Sequence, residues 1–379
     1  MDRDTILTVE DLKTQFFTEE GVVQAVDGIS FTVERGEILG IVGESGAGKS
    51  VAARSILRLI DSPGEIVGGR ITFQDELIFG LEEGEDGELR EDPEMLTNKE
   101  MRKRVRGRDI AIIFQDPMES LNPVFTVGEQ LREFIEINRD LDPDAAREEA
   151  VRMLREVGIP KPESRYSEYP HQFSGGMRQR VLIAMALACE PQLIIADEPT
   201  TALDVTVESQ ILDLVADLQE RYDTSFIWVT HDMGVVAEIC DRVNVMYLGE
   251  IVEQAGVDEL FADPKHPYTE ALLQSIPRPD RRVEELRPIA GVMPEAINPP
   301  SGCRFHTRCR EAREVCRRYN PDARDVSGPG EARHVAACLK HDDVFDVGYP
   351  MSDPIETQAE GGFGAGLASE GATQEVADE

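Results

Sequence analysis

A glycine-rich stretch, G-E-S-G-A-G-K-S at Gly43–Ser50, constrains the fold of this 379-residue chain more than any other feature. It follows an apolar run, E-I-L-G-I-V-G, and precedes a helical pattern, S-V-A-A-R-S-I-L-R-L-I. Gly43, Gly48, Lys49 and Ser50 satisfy the spacing G-x-x-x-x-G-K-[ST] between a strand and a helix. The backbone N–H groups of such a loop can surround a phosphate, and the helix N-terminus adds positive potential. A glycine-rich turn without a ligand would not explain this context.

Other β-branched runs alternate with helical patterns along the first 255 residues or so. The strand candidates are T-I-L-T-V-E-D-L, G-V-V-Q-A-V, G-I-S-F-T-V, I-A-I-I-F-Q, L-I-I-A-D and S-F-I-W-V-T. This alternation predicts an α/β domain, doubly wound around a parallel core sheet. The interval from about 118 to 190 is mostly helical and predicts an inserted helical subdomain.

The charge balance is strongly acidic, with 74 Asp and Glu against 39 Lys and Arg and a net charge of −35. Self-repulsion of this size destabilises a compact chain in dilute buffer, and salt screens it. We interpret the composition as adaptation to a salt-rich cytoplasm of a halophile, and an ordinary acidic protein is the alternative. Nucleic acid is not expected as a partner, and the basic run M-R-K-R-V-R-G-R at 101–108 is predicted to be a solvated loop.

No run of about 18 apolar residues exists, so no membrane-spanning segment is predicted. The first residues, M-D-R-D-T-I-L-T-V-E, lack the apolar core of a secretion signal. We therefore expect the chain in the cytosol, unless a membrane partner holds it at the membrane surface.

Four polar residues at strand ends are candidates for chemistry on the bound phosphate. Asp197 ends the apolar run L-I-I-A-D and is predicted to hold Mg²⁺, together with Ser50. Glu198 follows directly and is the predicted general base for hydrolysis. His231 ends W-V-T-H and Gln115 ends I-I-F-Q, both where side chains face the ligand edge of a parallel sheet. Gln115 can reach Mg²⁺ or the attacking water.

Two further motifs are F-S-G-G-M-R-Q-R from Phe173 and T-A-L-D ending at Asp204. Together with the phosphate loop and the strand-end residues, they occur in the same order as in the ATP-binding subunits of ABC transporters, which this chain resembles. The resemblance covers residues from about 5 to 255. It implies a RecA-like core with an antiparallel β subdomain, and ATP and Mg²⁺ as ligands. The usual family form of the first motif is L-S-G-G-Q. In this chain Phe173 replaces the Leu and Met177 replaces the Gln, and the phosphate-facing Ser-Gly-Gly is intact.

In this family the Ser-Gly-Gly motif serves the nucleotide of a second subunit. The resemblance therefore implies a head-to-tail dimer, in which Ser174, Gly175 and Gly176 close the partner's site, and Asp204 lies at the dimer interface. It also places Phe16 where the family stacks an aromatic ring on adenine, although Phe16 or its neighbour Phe17 could be a core residue. The remaining nucleotide contacts that it implies are Ser45, Gly46 and Val51.

The segments H-P-Y-T-E-A-L-L-Q-S-I-P and N-P-P-S-G-C-R-F-H-T-R-C resemble the C-terminal extension of oligopeptide and dipeptide importers, a branch that includes nickel importers. The resemblance implies an ATPase that energises di- or oligopeptide import. Its partners would be an identical or paralogous ATPase, two integral membrane permeases and an extracellular solute-binding protein. It would be peripheral on the cytoplasmic face of the membrane.

The alternatives are an importer of nickel, sugar or another solute, a soluble ABC-type ATPase of translation or DNA repair, and a P-loop kinase. The predicted groove for a permease coupling helix includes Gln115 and M-E-S-L-N-P-V-F-T-V-G-E-Q-L.

Cys303, Cys309, Cys316 and Cys338 crowd into one short segment and favour a metal over disulfides in a cytosolic protein. Their spacing lacks the C-x₂-C pairs typical of structural zinc. The resemblance implies a [4Fe–4S] cluster, with zinc or free thiols as alternatives, and nearby arginines are predicted to neutralise it. These arginines are Arg304, Arg308, Arg310, Arg317 and Arg318. Cys189 and Cys240 are predicted to be core residues.

The chain is thus predicted to have three parts. Residues 1–256 form the ATP-binding domain, and 257–342 form the extension with the four cysteines. The segment 343–379 is acidic and rich in Gly and Ala, and is predicted to be a disordered tail.

Overall fold

The computed structural model of the chain describes residues 4–83, 88–201, 203–275, 289–341, 349 and 352–359. The strands within these ranges are β1 Thr5–Thr18, β2 Gly21–Glu34, β3 Ile38–Val42, β4 Gly64–Phe73, β5 Glu76–Glu83, β6 Leu89–Glu91, β7 Ile110–Ile113, β8 Leu193–Asp197, β9 Ser225–Thr230, β10 Arg242–Tyr247, β11 Glu250–Gly256, β12 Arg324–Asp325 and β13 Val335–Ala336. The α-helices are α1 Lys49–Ile56, α2 Asn98–Glu100, α3 Pro117–Ser120, α4 Val127–Asn138, α5 Pro143–Glu156, α6 Pro162–Arg165, α7 Gly175–Leu187, α8 Val205–Tyr222, α9 Met233–Ile239, α10 Val257–Ala262 and α11 Pro267–Gln274.

The larger sheet has the strand order β12-β13-β11-β10-β3-β9-β8-β7, and the five strands from β10 to β7 run parallel. Every residue of β3 is buried, because side chains on both faces of the strand meet a core. Ile38 and Val42 join the apolar cluster on one face, whereas Leu39 and Ile41 join the cluster on the other. This alternation follows from the two-residue period of a strand. The predicted doubly wound α/β core is confirmed.

The smaller sheet is antiparallel, with the order β2-β1-β4-β5-β6. The prediction of two separate strands, G-V-V-Q-A-V and G-I-S-F-T-V, was wrong, because both belong to β2. Gly28, the first residue of the second run, has φ 76° and is skipped in the pairing with β1, where Leu12 lies opposite Ile29 and Lys13 opposite Asp27. A bulge at a glycine thus absorbs the extra residue without ending the strand.

The chain between β7 and β8 consists of helices α3 to α7. Helix α4 begins at a capping box, in which Thr126 and Glu129 bond to each other's backbone N–H groups. Helix α5 begins with Pro143 after Asp142, whose carboxylate accepts from the N–H groups of Asp144 and Ala145. These start signals fix the ends of helices whose apolar faces pack into the core.

The basic run at 101–108 is not a solvated loop, and that prediction was wrong. Met101–Val105 form a π-helical turn that continues α2, and both end residues of this turn are fully buried. The two apolar residues lie on one side of the turn, and the three basic residues between them are exposed to solvent. The run is therefore a half-buried helical segment before β7.

The C-terminal region is joined to the main sheet through β13. Val335 pairs with Gln254 of β11, and β12 pairs with β13 on its outer side. Residues 352–359, which fall within the predicted tail, also contact this region, since the Glu314 N–H donates to the Asp353 carbonyl at 2.9 Å. Apart from Tyr349, the other residues of the predicted tail lie outside the described part of the chain, and its disorder stays a prediction. Among the described helices, none is long and apolar enough to cross a membrane.

Candidate functional site

The loop between β3 and α1 has a shape that only small residues allow. Gly46 and Gly48 have φ of 84° and 100°, in the left-handed region that favours glycine. A Cβ atom on Gly43 would lie 2.2 Å from the Met246 carbonyl oxygen, and one on Gly48 would lie 2.2 Å from the Ala25 carbonyl oxygen. The loop is therefore packed against neighbouring backbone on its outside. Its inner side is left as a concave surface that can hold a phosphate.

Lys49 reaches back across this loop from the first turn of α1. Its Nζ donates to the carbonyl oxygens of Gly43 at 2.9 Å and Glu44 at 3.1 Å. Burial lowers the pKa of Lys49, while Glu198 and Asp197 oppose this effect. The ammonium group is thus held at the inner side of the loop, in reach of a phosphate bound there.

Ser50 and Asp197 meet beside the loop. The Ser50 hydroxyl donates to Oδ1 of Asp197 at 2.6 Å, and Arg54 Nη2 lies 3.4 Å from Oδ2. Asp197 is fully buried at the end of β8, and burial raises the pKa of its carboxyl group. A hydroxyl and a carboxylate are oxygen donors of the kind that Mg²⁺ prefers. These two residues therefore fit the predicted magnesium site.

Glu198 follows Asp197 and holds its carboxylate at the centre of a polar network. Its Oε2 accepts from Gln115 Nε2 at 3.0 Å and from the Thr201 hydroxyl at 3.1 Å, and His231 Nδ1 lies 3.4 Å away. The backbone of Glu198 has φ 48°, which costs about 1–2 kcal/mol for a residue other than glycine. Strain and several contacts thus fix this carboxylate. A base that orients water needs such a fixed position.

The structure brings most of the predicted residues together around one cleft of about 920 Å³. Those that line it are Gly43, Ser45, Gly46, Gly48, Lys49, Ser50, Val51, Gln115, Glu198 and His231. Sequence reasoning missed several further lining residues, namely Val23, Ala25, Glu44, Thr201, Leu272, Ser275, Ile289, Met293 and Ala296. The hydroxyl of Thr201, three residues after Glu198 in D-E-P-T-T, was a signal that could have been used. No local sequence pattern indicated that residues after 270 would line the cleft.

Phe16 is not among the residues that line this cleft. It lies on β1 beside Ile60 and Gly64, where a Cβ atom added to Gly64 would come within 2.6 Å of the Phe16 ring. Val23, its partner across the β1–β2 pair, does line the cleft. In the single chain Phe16 therefore packs within the antiparallel sheet region, and its contact with adenine stays a prediction.

The second glycine motif and Asp204 also lie outside the cleft. The Ser174 hydroxyl accepts from the Met177 N–H at 3.3 Å, and Gly175 and Gly176 form the first turn of α7. Asp204 similarly begins α8, where its Oδ1 accepts from the Val207 N–H at 3.0 Å. Within one chain these residues cap helices, and their helix N-termini contact no part of the site formed by the phosphate loop.

The four clustered cysteines lie close enough for their charges to affect one another. Burial raises the pKa of Cys309 to about 12 and that of Cys338 to about 11, and nearby thiols contribute to both shifts. Within the described residues, however, no three His, Cys, Asp or Glu side chains form a group that could hold a metal ion. The side chains as they stand therefore do not form the ligand set of the predicted cluster. Cys240 is buried as predicted and Cys189 is half-buried.

The predicted neutralisation of a cluster by arginines is also not what the structure shows. Most of these arginines form ion pairs with carboxylates. The pairs are Arg304 with Asp27 and Glu250, Arg308 with Glu44, and Arg317 and Arg318 with Glu314. Two of them tie the extension to the ATP-binding part of the chain, a role that sequence spacing cannot reveal.

Comparison with known proteins agrees with this geometry. The family model described as ABC transporter matches residues 26–201, and the model described as oligopeptide/dipeptide transporter, C-terminal region, matches residues 252–316. The chain is 49% identical over 346 residues to the probable peptide ABC transporter ATP-binding protein y4tR of Sinorhizobium fredii, covering 91% of this chain and 97% of that protein. It is 47% identical over 347 residues to the oligopeptide transport ATP-binding protein OppD of Bacillus subtilis, covering 91% and 92%.

Among solved structures, cbiO1 of Clostridium perfringens, part of the ABC transporter complex cbiONQ, matches with a TM-score of 0.54 and 30% identity. That match covers 69% of this chain and 92% of cbiO1. The dimeric ATP-binding cassette MJ0796 bound to ADP and Pi matches in fold, with a TM-score of 0.56 at 24% identity over 66% and 98% of the two chains. The chain belongs to the ATP-binding proteins of ABC transporters, in the oligopeptide/dipeptide transporter family. The predicted fold and ATPase class are thereby confirmed.

Proposed function

We propose that this chain is the ATP-hydrolysing subunit that energises an ABC importer of di- and oligopeptides. One observation supports the proposal most strongly. The Glu198 carboxylate is fixed beside the Ser50–Asp197 pair and the phosphate loop, where an attacking water and the γ-phosphate of ATP would meet. The peptide substrate is inferred from the names of the relatives, since peptide transport is named for both y4tR and OppD.

The residues of this chain have separate roles in hydrolysis. The backbone N–H groups of the phosphate loop and Lys49 bind the β- and γ-phosphates. Ser50 and Asp197 hold Mg²⁺, and this ion supplies positive charge to the phosphates when bound. Glu198 orients the water and accepts its proton. Gln115 and His231 hold Glu198 in place, and Gln115 also reaches the magnesium site.

The Ser174–Gly176 motif acts on the nucleotide of a second ATPase subunit, either a second copy or a paralogue. The N-terminus of α7, a helix of 13 residues, carries positive potential that can face the γ-phosphate of that subunit. Asp204, exposed at the start of α8, would lie at the same interface, and Phe16 would move against adenine when nucleotide is bound. ATP then holds the closed dimer together, and hydrolysis lets it open. The difference in nucleotide affinity between the two states drives transport.

Two membrane permeases receive this motion on the cytoplasmic face of the membrane, where the chain is peripheral, and an extracellular solute-binding protein delivers the peptide. Exposed apolar side chains beside Gln115 support this docking surface. Phe114, Val124 and Phe125 expose 38%, 70% and 51% of their surface, and exposed apolar side chains of this size can mark a contact with another protein. They fall in the segment predicted to receive a coupling helix.

The mechanism is tested with the variant Glu198→Gln, which keeps the shape of the side chain and removes its basicity. We expect kcat to fall by roughly a hundredfold or more, while ATP still binds and promotes dimers on size-exclusion chromatography. Glu220→Gln on the exposed side of α8 is the matched control and should retain activity. Steady hydrolysis by Glu198→Gln at the control rate would exclude Glu198 as the base.

The substrate class is tested by reconstituting the chain with its permeases and solute-binding protein in vesicles. A dipeptide or oligopeptide should stimulate ATP hydrolysis and accumulate inside the vesicles. Stimulation by nickel or a sugar in place of peptide would overturn the peptide assignment and leave the ATPase mechanism unchanged.

A [4Fe–4S] cluster held by Cys303, Cys309, Cys316 and Cys338 is a separate proposal, supported by four neighbouring thiols in one segment. It requires the thiols to rearrange from the positions described above, and no step of ATP hydrolysis depends on it. Anaerobically purified protein should contain iron and absorb broadly in the visible range. Iron-free protein of the same stability would contradict the proposal.

The acidic composition supports a further proposal, that the protein works in a salt-rich cytoplasm of a halophile. The net charge of −35 would then be screened by the surrounding salt. The dependence of the melting temperature on salt concentration tests it.

A further inference from the structure

The phosphate loop carries an acidic residue, Glu44, at a place where an anionic ligand binds. An unpaired carboxylate there would repel the triphosphate of a nucleotide. Glu44 is paired with Arg308 of the C-terminal extension, with distances of 2.7 Å from Nη1 to Oε2 and 3.1 Å from Nη2 to Oε1. The Arg308 side chain is 1% exposed. A bidentate pair with a buried guanidinium is among the stronger polar contacts in proteins.

The backbone of Glu44 is held by the extension as well. Its N–H donates to the hydroxyl oxygen of Tyr268 at 2.9 Å, and Tyr268 is fully buried. Burial raises the pKa of Tyr268, so its hydroxyl remains protonated and neutral. Both the main chain and the side chain of one loop residue are therefore fixed by residues more than 200 positions away in the sequence.

Arg308 also holds a second segment against the loop. Its Nε donates to the Ala290 carbonyl at 2.9 Å and its Nη2 to the Gly291 carbonyl at 3.5 Å. We call residues 289–297 the strap. At the other end of the strap, the Gln24 N–H donates to the Ala296 carbonyl at 3.0 Å. The strap is thus attached at both ends, beside the phosphate loop and beside β2.

The strap supplies apolar side chains to the nucleotide cleft. Ile289, Met293 and Ala296 line it, and a Cβ atom added to Gly46 of the loop would lie 3.3 Å from the Met293 methyl carbon. Leu272 of α11 extends the same apolar wall. Ligand sites combine such apolar walls with a few polar groups, and the uncharged part of a nucleotide fits this side of the cleft.

The position of Arg308 is itself set by aromatic packing. The rings of Tyr247, Tyr268 and Phe305 pack against each other in tilted and edge-to-face arrangements, with centroid distances of 4.7, 5.2 and 5.3 Å. The guanidinium carbon of Arg308 lies 5.9 Å from the Tyr247 ring centroid. This aromatic cluster joins β10 to two parts of the extension, α11 and the segment around Phe305, so the guanidinium has little freedom to move away from Glu44.

We propose that Arg308 is a positioning residue for ATP binding, which neutralises Glu44 and holds both the phosphate loop and the strap in their binding arrangement. The strap then forms one wall of the nucleotide site. This inference rests on the proposed nucleotide site, and it adds that the C-terminal extension takes part in binding the nucleotide.

The test compares full-length Arg308→Met, Glu44→Gln and the double variant by equilibrium binding of ATP and by steady-state kinetics. Arg308→Met leaves the Glu44 charge unpaired beside the phosphates, so Kd and KM should rise roughly tenfold or more. The value of kcat should stay close to wild type, because the Glu198 network is untouched. The double variant should recover most of the lost affinity, since it removes the unpaired charge as well.

Recovery in the double variant separates charge neutralisation from general structural damage, which a second substitution would not repair. Unchanged affinity in Arg308→Met, or no recovery in the double variant, would overturn the proposal. Because ATP binding is measured directly, a failure of Glu198 as base or of peptide as substrate would not affect this result.

A second pair of variants tests the strap if Arg308→Met fails to fold. Met293→Ala removes a side chain that lines the cleft, whereas Val292→Ala alters a neighbour that is 80% exposed and outside it. We expect Met293→Ala to weaken ATP binding severalfold and Val292→Ala to leave it unchanged. Equal affinities for the two variants would exclude the strap as a wall of the site.

Discussion

At the scale of single residues, the site depends on how the Glu198 carboxylate is held. Three side chains contact its Oε2, and each comes from a different place in the sequence. Gln115 follows β7 and His231 follows β9, the two strands that flank β8, whereas Thr201 follows Glu198 in the same turn. The base is therefore oriented by the edge of the sheet and by its own loop together.

Thr201 offers a direct test of this orientation. Thr201→Val keeps the shape of the side chain but removes the hydroxyl that donates to Glu198 at 3.1 Å. We expect kcat to fall roughly five- to tenfold with little change in KM, since one hydrogen bond to the base is lost. Thr201→Ser should restore most of the rate. A Val variant as active as the Ser variant would show that this hydroxyl is not needed.

His266 gives a prediction for pH. It begins α11, where its Nδ1 accepts from the Tyr268 N–H at 3.0 Å, and burial lowers its pKa to about 4 despite the nearby charge of Glu253. Lys340 and His341 act in the same direction as burial. The unfolded chain takes up the proton near pH 6.5. The stability that neutral His266 provides is therefore complete above that pH and is lost as the pH falls towards 4.

His266→Asn tests this sign, because Asn can also accept from the N–H group at a helix start without titrating. Between about pH 7 and about pH 4.5, the unfolded wild-type chain takes up a proton on His266 that the folded chain does not. Over this range the melting temperature of the variant should therefore decline less than that of the wild type. Parallel declines in the two proteins would assign the acid sensitivity to other groups.

At the scale of elements, the two adjacent glycines in the first turn of α7 differ in how closely neighbouring side chains approach them. A Cβ atom on Gly176 would lie 2.4 Å from Cγ1 of Val207 in α8, so this glycine permits the two helices to pack closely. A Cβ atom on Gly175 would meet its nearest neighbour, Leu203 Cδ2, at 3.6 Å, which is an ordinary contact. Within one chain, Gly175 is not required for packing.

The two glycines should therefore respond differently to alanine. Gly176→Ala should destabilise the protein by about 1–3 kcal/mol through overpacking between α7 and α8, and lower its melting temperature. Gly175→Ala should melt like the wild type but hydrolyse ATP more slowly, because the added methyl group would crowd the nucleotide of the second subunit beside this helix N-terminus. Full activity of Gly175→Ala would count against that role, and equal melting of both variants would contradict the packing argument.

At the scale of the whole molecule, the extension and the ATP-binding part share one structure. The strand β13 adds to the same sheet as the parallel core, and Arg304 and Arg308 pair with carboxylates in the first 50 residues. A change in the extension can therefore reach the phosphate loop through direct contacts. The domain boundary at residue 256 stays a prediction, and the β11–β13 pairing and the Arg308–Glu44 ion pair cross it.

The net charge also acts on the whole molecule. Raising KCl from about 0.1 M to about 1 M shortens the screening length from about 10 Å to about 3 Å. With a net charge of −35, the melting temperature should rise steeply over this range. Sucrose of equal osmolality is the control, because it is excluded from the surface but does not screen charge. An equal rise in sucrose, or none in KCl, would contradict adaptation to salt.

The sequence by itself determined the parts of this protein whose chemistry is local. The phosphate loop, the acids at the end of β8 and the helix caps are contiguous motifs, because a loop or a cap needs only a few neighbouring residues in a set order. Short apolar, β-branched runs likewise identified β3, β7, β8 and β9, whereas β10 of the parallel core was not among the strand candidates. Two strands were predicted where β2 is continuous, since a glycine that ends a strand and one that forms a bulge are alike in sequence.

Only the tertiary structure decided which distant residues meet. The pairing of Arg308 with Glu44, the addition of β13 to β11 and the strap beside the phosphate loop join segments that are 80 to more than 250 residues apart. No local pattern encodes such contacts, because each partner is an ordinary surface or loop residue until the core packs. The family resemblance placed Phe16 against adenine, which stays a prediction, and only the packing of the single chain shows that Phe16 lies beside Ile60 and Gly64.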